Sequence, residues 1–256
     1  MILKSSLFSA LALTIAALSW PLQLFDADVS ACKDTASAVR IEACTRAINS
    51  TGWHYGNLSW AYANRGDAYR IKGETDLAVA DYDQSIRLEP ARSITFHNRA
   101  LAYQAKGDLD LAIADYSQAI GKWHLRKAAS RSEYLSHRAV AYQHKGDLAL
   151  ATADYTAAIR LVPHDSSLYF NRGQLFKATN DLDRAIADYT HAIAEFDADE
   201  HSLTDKRDYL TARSEAYRAK GESKLAHADF EQAAVIDAGL ARAKSGRTRV
   251  AGVVKR

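Results

Sequence analysis

One spacing constrains this chain more than any other: a short frame of residues returns in units of 34 positions. Glycine marks the frame at Gly73, Gly107, Gly146 and Gly221, and Asn180 fills the remaining slot. Ahead of each mark stand an arginine, a small residue and, three positions on, an aromatic. Behind it come an alanine, an aromatic and another small residue. Laid out, the units are Ser59–Arg92, Ser93–Arg126, Ser132–Asp165, Ser166–Asp199 and Arg207–Leu240, each 34 residues long. A period of this size means that one supersecondary unit is copied and stacked, since no single unit can bury its apolar face alone.

Position by position the copies agree. The early small residue is Gly66, Ala100, Ala139, Gly173 or Ser214, followed by Tyr69, Tyr103, Tyr142, Phe176 or Tyr217. The later half carries Ala78, Ala112, Ala151, Ala185 and Ala226, then Tyr82, Tyr116, Tyr155, Tyr189 and Phe230, then Ser85, Ala119, Ala158, Ala192 and Ala233. Small residues let two antiparallel helices approach, and the aromatics fill the space beside them. Pro90 and Pro163 close their units where a helix must stop. This frame resembles the tetratricopeptide-repeat (TPR) family over Ser59–Leu240. The resemblance implies an all-α solenoid of helix-turn-helix units, a right-handed superhelix with five full repeats.

The turn offers an independent physical check. A tight helix–helix turn needs a left-handed residue, which glycine adopts freely and asparagine tolerates best among the others. Asn180 is the substitution that rule predicts. Glu74, Asp108, Asp147, Asp181 and Glu222 follow the marks, and an acid there is expected to cap free amides and oppose the dipole of the second helix.

Every second connector is lengthened. The late small position steps from Ala47 through Ser85, Ala119, Ala158, Ala192 and Ala233 by 38, 34, 39, 34 and 41 residues. The extra residues fall in Asn49–Leu58, Lys122–Arg131 and Glu195–Lys206 and include Trp53, His54, Tyr55, Trp123 and His124. These aromatics read as caps on exposed edges of the stack, with a secondary contact surface as the alternative.

Residues 1–20 read as an export leader: Lys4, then an apolar run from Leu7 to Trp20, with cleavage after Ser19 or as late as Ala31. The charge-free stretch from Ser5 to Phe25 is long enough that an uncleaved anchor stays open. Val29-Ser30-Ala31-Cys32 also resembles a bacterial lipoprotein box, although Asp26 and Asp28 separate it from the apolar run. Export to a bacterial periplasm is the expectation, with membrane anchoring as the alternative. Residues 32–58 read as an N-terminal half-repeat and connector, because Ile41, Cys44, Ala47 and Ile48 repeat the spacing of a second helix over Ser37–Asn49. In an oxidising compartment Cys32 and Cys44 are expected to form a disulfide, which excludes lipidation of Cys32.

The formal net charge of +2 lacks the basic stripe that nucleic acid would require. The local bias is the tail 241–256, which holds Arg242, Lys244, Arg247, Arg249, Lys255 and Arg256 without an acid. Its first half reads as a polar capping helix and the rest as frayed. The nine histidines show no metal-ligand spacing, and neither a phosphate-binding glycine loop nor a nucleophile elbow is present. No catalytic residue, metal or cofactor is expected, and the chain is read as no enzyme.

The TPR resemblance implies a concave groove, lined by first helices, that binds extended peptide. Opposite the buried stripe lie Asn64, Asn98, His137, Asn171 and Ala212, where family members place asparagines against a peptide backbone. An amide suits that task because it both donates and accepts. Further along the face are Arg70, Gln104, Gln143, Lys177 and Arg218, with Asp67, Gln174 and Glu215 one turn before. Bordering the stripe, Arg65, Arg99, Arg138, Arg172 and Arg213 repeat with Asp81, Asp115, Asp154, Asp188 and Asp229, an arrangement expected to form structural ion pairs between helices. The function expected is a scaffold or adaptor that binds a peptide segment of an envelope protein. The alternatives are a self-assembling or membrane-anchored structural component and a regulatory subunit of an envelope enzyme.

Overall fold

The structure, a computed structural model, describes residues 30–33, 37–50, 55–122, 128–196 and 203–253. The leader at 1–20, the connector residues Trp53, His54, Trp123 and His124, and the side chain of Tyr55 lie outside what it describes. Among the described residues all regular structure is α-helix. The chain divides into two compact units between Trp123 and His124. The first holds α1 (Ser37–Asn49), α2 (Tyr55–Lys72), α3 (Thr75–Leu88), α4 (Ser93–Lys106) and α5 (Leu109–Gly121). The second holds α6 (Ala128–Lys145), α7 (Leu148–Leu161), α8 (Ser166–Ala178), α9 (Leu182–Ala194), α10 (Leu203–Ala219) and α11 (Ser223–Val253).

Within each unit every helix packs on its sequence neighbours, and α2 also meets α4 as α8 meets α10. First helices therefore stand beside first helices, which is stacking of helix pairs. The small positions make this possible. A Cβ on Gly66 would lie 2.9 Å from Tyr82 Cε1, and one on Gly173 would lie 2.8 Å from Tyr189 Cε1. Ala78, Tyr82 and Ala102 form one core cluster; Phe176, Ala185, Tyr189, Ala212 and Ala216 form another. Each cluster joins a helix pair to the first helix of the next repeat.

The turns are left-handed at each mark: φ is 84° at Gly73 and Gly107, 88° at Gly146, 85° at Gly221 and 60° at Asn180. Gly107 N–H donates to the Gln104 carbonyl and Asp108 N–H to the Tyr103 carbonyl, so the reversed residue lets the last carbonyls of the first helix find donors. The acids behind the marks depart from expectation. Glu74, Asp108 and Asp147 make no side-chain cap, whereas Asp181 accepts from a helix amide, that of Arg184 at 3.2 Å. Their ψ of 62–64° lies outside the extended region an N-cap prefers. Glu74 instead pairs with Lys72 at 2.6 Å, and Glu222 with Lys220 at 2.8 Å.

The lengthened connectors have a partly helical fate. α2, α6 and α10 each begin four residues before their 34-residue unit, whereas α4 and α8 begin with theirs. Alternate first helices are thus one turn longer, at 18, 18 and 17 residues against 14 and 13. At the C-terminal end α11 runs unbroken for 31 residues to Val253, so 241–253 is helical. Pro90 and Pro163 follow the ends of α3 and α7, and Ala238 holds the corresponding place inside α11.

At the N-terminus α1 packs on α2. Cys32 and Cys44 are joined by a disulfide and share a buried cluster with Ala43 and Ala61, flanked by Ile48 and Trp60.

The arginine–aspartate positions form the same fork in every repeat. Nε and Nη2 of Arg65, Arg99, Arg138, Arg172 and Arg213 donate to the two carboxylate oxygens of Asp81, Asp115, Asp154, Asp188 and Asp229 at 2.7–2.8 Å. A link that sequence reasoning missed runs backwards along the stack. Arg65 Nη1 donates to Thr45 Oγ1 at 3.0 Å, Arg172 Nη1 to Thr156 Oγ1 at 3.1 Å, and Arg213 Nη1 to Thr190 Oγ1 at 3.0 Å. Arg99 Nη1 makes the equivalent contact to Asp83. Each of these guanidiniums ties together its own repeat and the one before it.

Candidate functional site

The candidate site is the face of the first helices that points away from the small-residue stripe. In the first unit it is built by α2 and α4. Asn64 turns its Nδ2 onto the Trp60 carbonyl of its own helix at 3.0 Å. Asn98 Nδ2 donates to Asp67 Oδ1 at 2.8 Å, and its own Oδ1 lies 3.2 Å from His97 Nδ1. Asp67 Oδ1 also accepts from Tyr82 Oη at 2.6 Å. A carboxylate on α2 therefore gathers an amide from α4 and a phenol from α3.

The electrostatics follow from that crowding. Burial pushes the Asp67 carboxyl above the usual carboxylate range, opposed by its hydrogen bond from Tyr82 and the charge of Arg70. Burial likewise raises the Tyr82 phenol, and the neighbouring Asp67 adds to the rise. Arg70 Nε is buried without a hydrogen-bond partner. In the same row Tyr116 Oη donates to Gln104 Oε1 at 2.9 Å.

In the second unit α6, α8 and α10 carry the corresponding positions. Asn171 and His137 are half-buried, and Gln143 and Arg218 are exposed. Lys177 Nζ pairs with Glu215 Oε2 across α8 and α10. Tyr189 Oη donates to Gln174 Oε1 at 2.7 Å, and burial pushes the Tyr155 phenol up to about 12. Ala212 does not face the groove; it lies in the core against Tyr189.

The structure thus brings together Asn98 with Asp67, and Lys177 with Glu215, while Asn64 is satisfied within its own helix. Sequence reasoning missed the second-helix tyrosines as polar members of the site. Their rings fill the core, yet their hydroxyls emerge on the groove side and hold its acceptors. The available signal was tyrosine in four copies where packing alone would accept phenylalanine, as at Phe230.

Family models described as TPR repeat and tetratricopeptide repeat match residues 66–107 and residues 95–121 and 166–195, respectively. No curated protein matches the sequence. Among solved structures, the C-terminal part of a TPR repeat-containing protein from Cytophaga hutchinsonii is 18% identical, with a TM-score of 0.70, covering 84% of this chain and 80% of its own. MamA from Desulfovibrio magneticus RS-1 is 14% identical at a TM-score of 0.62, covering 73% of this chain and 98% of its own. YrrB, described as a TPR protein with an unusual peptide-binding site, is 17% identical at a TM-score of 0.59, covering 77% and 93%. At these identities the likeness is one of fold. The chain thus carries tetratricopeptide repeats at the matched residues, and its fold is all-α and built of stacked helix pairs.

Proposed function

We propose that this protein is a non-enzymatic adaptor that holds an extended peptide segment of an exported envelope protein against its first helices. The observation that carries the reading is that each unit sets amides beside anchored acceptors on its first helices: Asn64 and Asn98 in the first unit and Asn171 in the second, with Asp67 and Gln104, and with Gln174, as the acceptors. Tyr82, Tyr116 and Tyr189 hold those last three in place from behind. Pre-positioned donors and acceptors lower the ordering cost of binding an extended backbone. The likeness to YrrB, whose description names a peptide-binding site, is in keeping with this use of the fold. Support for export comes from the leader-like residues 1–20 and the Cys32–Cys44 disulfide. No helix among the described residues is long and apolar enough to cross a membrane.

The test is a crosslinked pull-down from envelope extract, comparing the parent chain with Asn64→Ala/Asn98→Ala/Asn171→Ala after circular dichroism has shown that the variant is folded. A specific partner lost by the variant supports groove recognition. The same partners retained by a folded variant would place binding elsewhere and reject it.

A further inference from the structure

Two arginines of the first unit are buried where nothing accepts from them. Arg40 on α1 stands seven residues before Ala47, the place that the five copies fill with Ala78, Ala112, Ala151, Ala185 and Ala226. Arg70 stands in the last turn of α2. In both, Nε is buried without a hydrogen-bond partner. An unpaired buried donor is costly, and more so on a charged group, so each marks a place prepared for an acceptor.

The two guanidiniums converge on Asp67. Burial is the main influence on that carboxyl, and the charges of Arg70 and Arg40 both act against it. Arg70 reaches further along the same face. Burial raises the phenols of Tyr82 and Tyr116, and in each case Arg70 opposes the rise. Asp67 itself is held from behind, since Oδ1 accepts from Tyr82 at 2.6 Å and from Asn98 at 2.8 Å.

Charge does not balance there. The repeated arginines of α2 and α4 are already neutralised, Arg65 by Asp81 and Arg99 by Asp115 and Asp83. Among the described residues, by contrast, Arg40 and Arg70 share the carboxylate of Asp67, so two cations meet one anion.

We propose that this site selects an acidic side chain of the bound peptide, an aspartate or glutamate whose carboxylate accepts from Arg70 and Arg40 beside Asp67. A carboxylate fits because it brings acceptor oxygens to guanidinium donors and cancels the surplus charge. The guanidinium fork favours such a planar partner over a general attraction to anions. A side chain fits better than a chain end, because Asn64 on α2 and Asn98 on α4 carry the peptide backbone past the arginines. The proposal rests on peptide binding by the first helices and names one residue of the ligand.

The test is selection of random peptides of about ten residues, displayed with their C-termini tethered, on the whole immobilised protein, then fluorescence polarisation with the best peptide. Aspartate or glutamate should be enriched at one position, and its exchange for the amide should weaken binding about tenfold. Arg70→Gln or Arg40→Gln, shown by circular dichroism to be folded, should weaken the acidic peptide by a similar factor and leave the amide peptide unchanged. Arg70→Glu should turn the preference to lysine or arginine, a gain that a misfolded chain cannot mimic. Selected peptides without an acidic position overturn the proposal while peptide binding stands, as does an acidic preference indifferent to the arginine variants. An acidic preference seen only with free C-termini also overturns it, because the group bound is then the chain end. Failure to select any peptide rejects groove binding and this proposal together.

Discussion

Arg172 grips both carboxylate oxygens of Asp188, each at 2.8 Å, and the same guanidinium reaches back to Thr156 of the preceding repeat at 3.1 Å. The fork uses Nε and Nη2, which leaves Nη1 to cross the repeat boundary. One side chain therefore fixes both the angle within a helix pair and the register between pairs. A lysine could do neither, because it offers a point charge without a planar fork.

The pair should be strongly coupled. Arg172→Gln and Asp188→Asn are each expected to destabilise by about 3 kcal/mol, since each leaves a partly buried charge without its partner. The double variant should fall short of the sum by more than about 1 kcal/mol in urea unfolding. Thr156→Val should cost about 1 kcal/mol, the worth of one hydrogen bond. Additive losses from Arg172 and Asp188 would sink the pairing.

Gly173 has no room to grow. A Cβ there would stand 2.8 Å from Tyr189 Cε1 and 3.2 Å from Asp188 Cβ, both in buried side chains. Gly173→Ala is expected to lower stability by about 1–2 kcal/mol despite the better helix propensity of alanine, because helix α9 must shift. Thermal unfolding decides the matter, and an unchanged or raised midpoint would contradict it.

The disulfide should stabilise the N-terminal helix α1. Cys32 and Cys44 close a short loop, worth roughly 3 kcal/mol through the unfolded chain. Reductant, or Cys32→Ser/Cys44→Ser, should lower the midpoint and expose α1 amides to hydrogen exchange first. Equal exchange throughout the first unit would mean that α1 does not open independently.

Asp67 gives a pH dependence with a definite sign. Its carboxyl is raised in the folded state, so the neutral form is the better tolerated one. Stability from this group is present below its unfolded value of about 4 and lost as pH rises through the raised folded value. Asp67→Asn keeps an acceptor for Tyr82 while removing the charge. It should therefore melt higher than the parent at pH 7 and level with it below pH 4. A lower midpoint at pH 7 would show that the ionised form is the preferred one.

Much of the fold was legible before any coordinates. Asn180 was marked as left-handed by its place in the period, and its φ is 60°. The helix read over Ser37–Asn49 has those bounds. Both are local properties, set by backbone sterics and by apolar spacing. The acids at Glu74, Asp108 and Asp147 were misread as caps because residue type does not reveal ψ. The reach of Tyr82 Oη to Asp67, fifteen residues apart and on different helices, depends on how closely α2 and α3 approach.

The sequence by itself determined that this chain is a stack of helix pairs, where each turn reverses and which small residues let the pairs close. A period of 34 with small and aromatic residues in fixed places leaves few other ways to bury the apolar stripe. Only the tertiary structure decided which polar groups meet: Arg172 across a repeat boundary to Thr156, Asn98 to Asp67, and Phe230 left uncovered where α11 continues past its repeat. Burial pattern is a one-dimensional property of the chain, whereas hydrogen-bond partners depend on distances between helices that no single segment encodes.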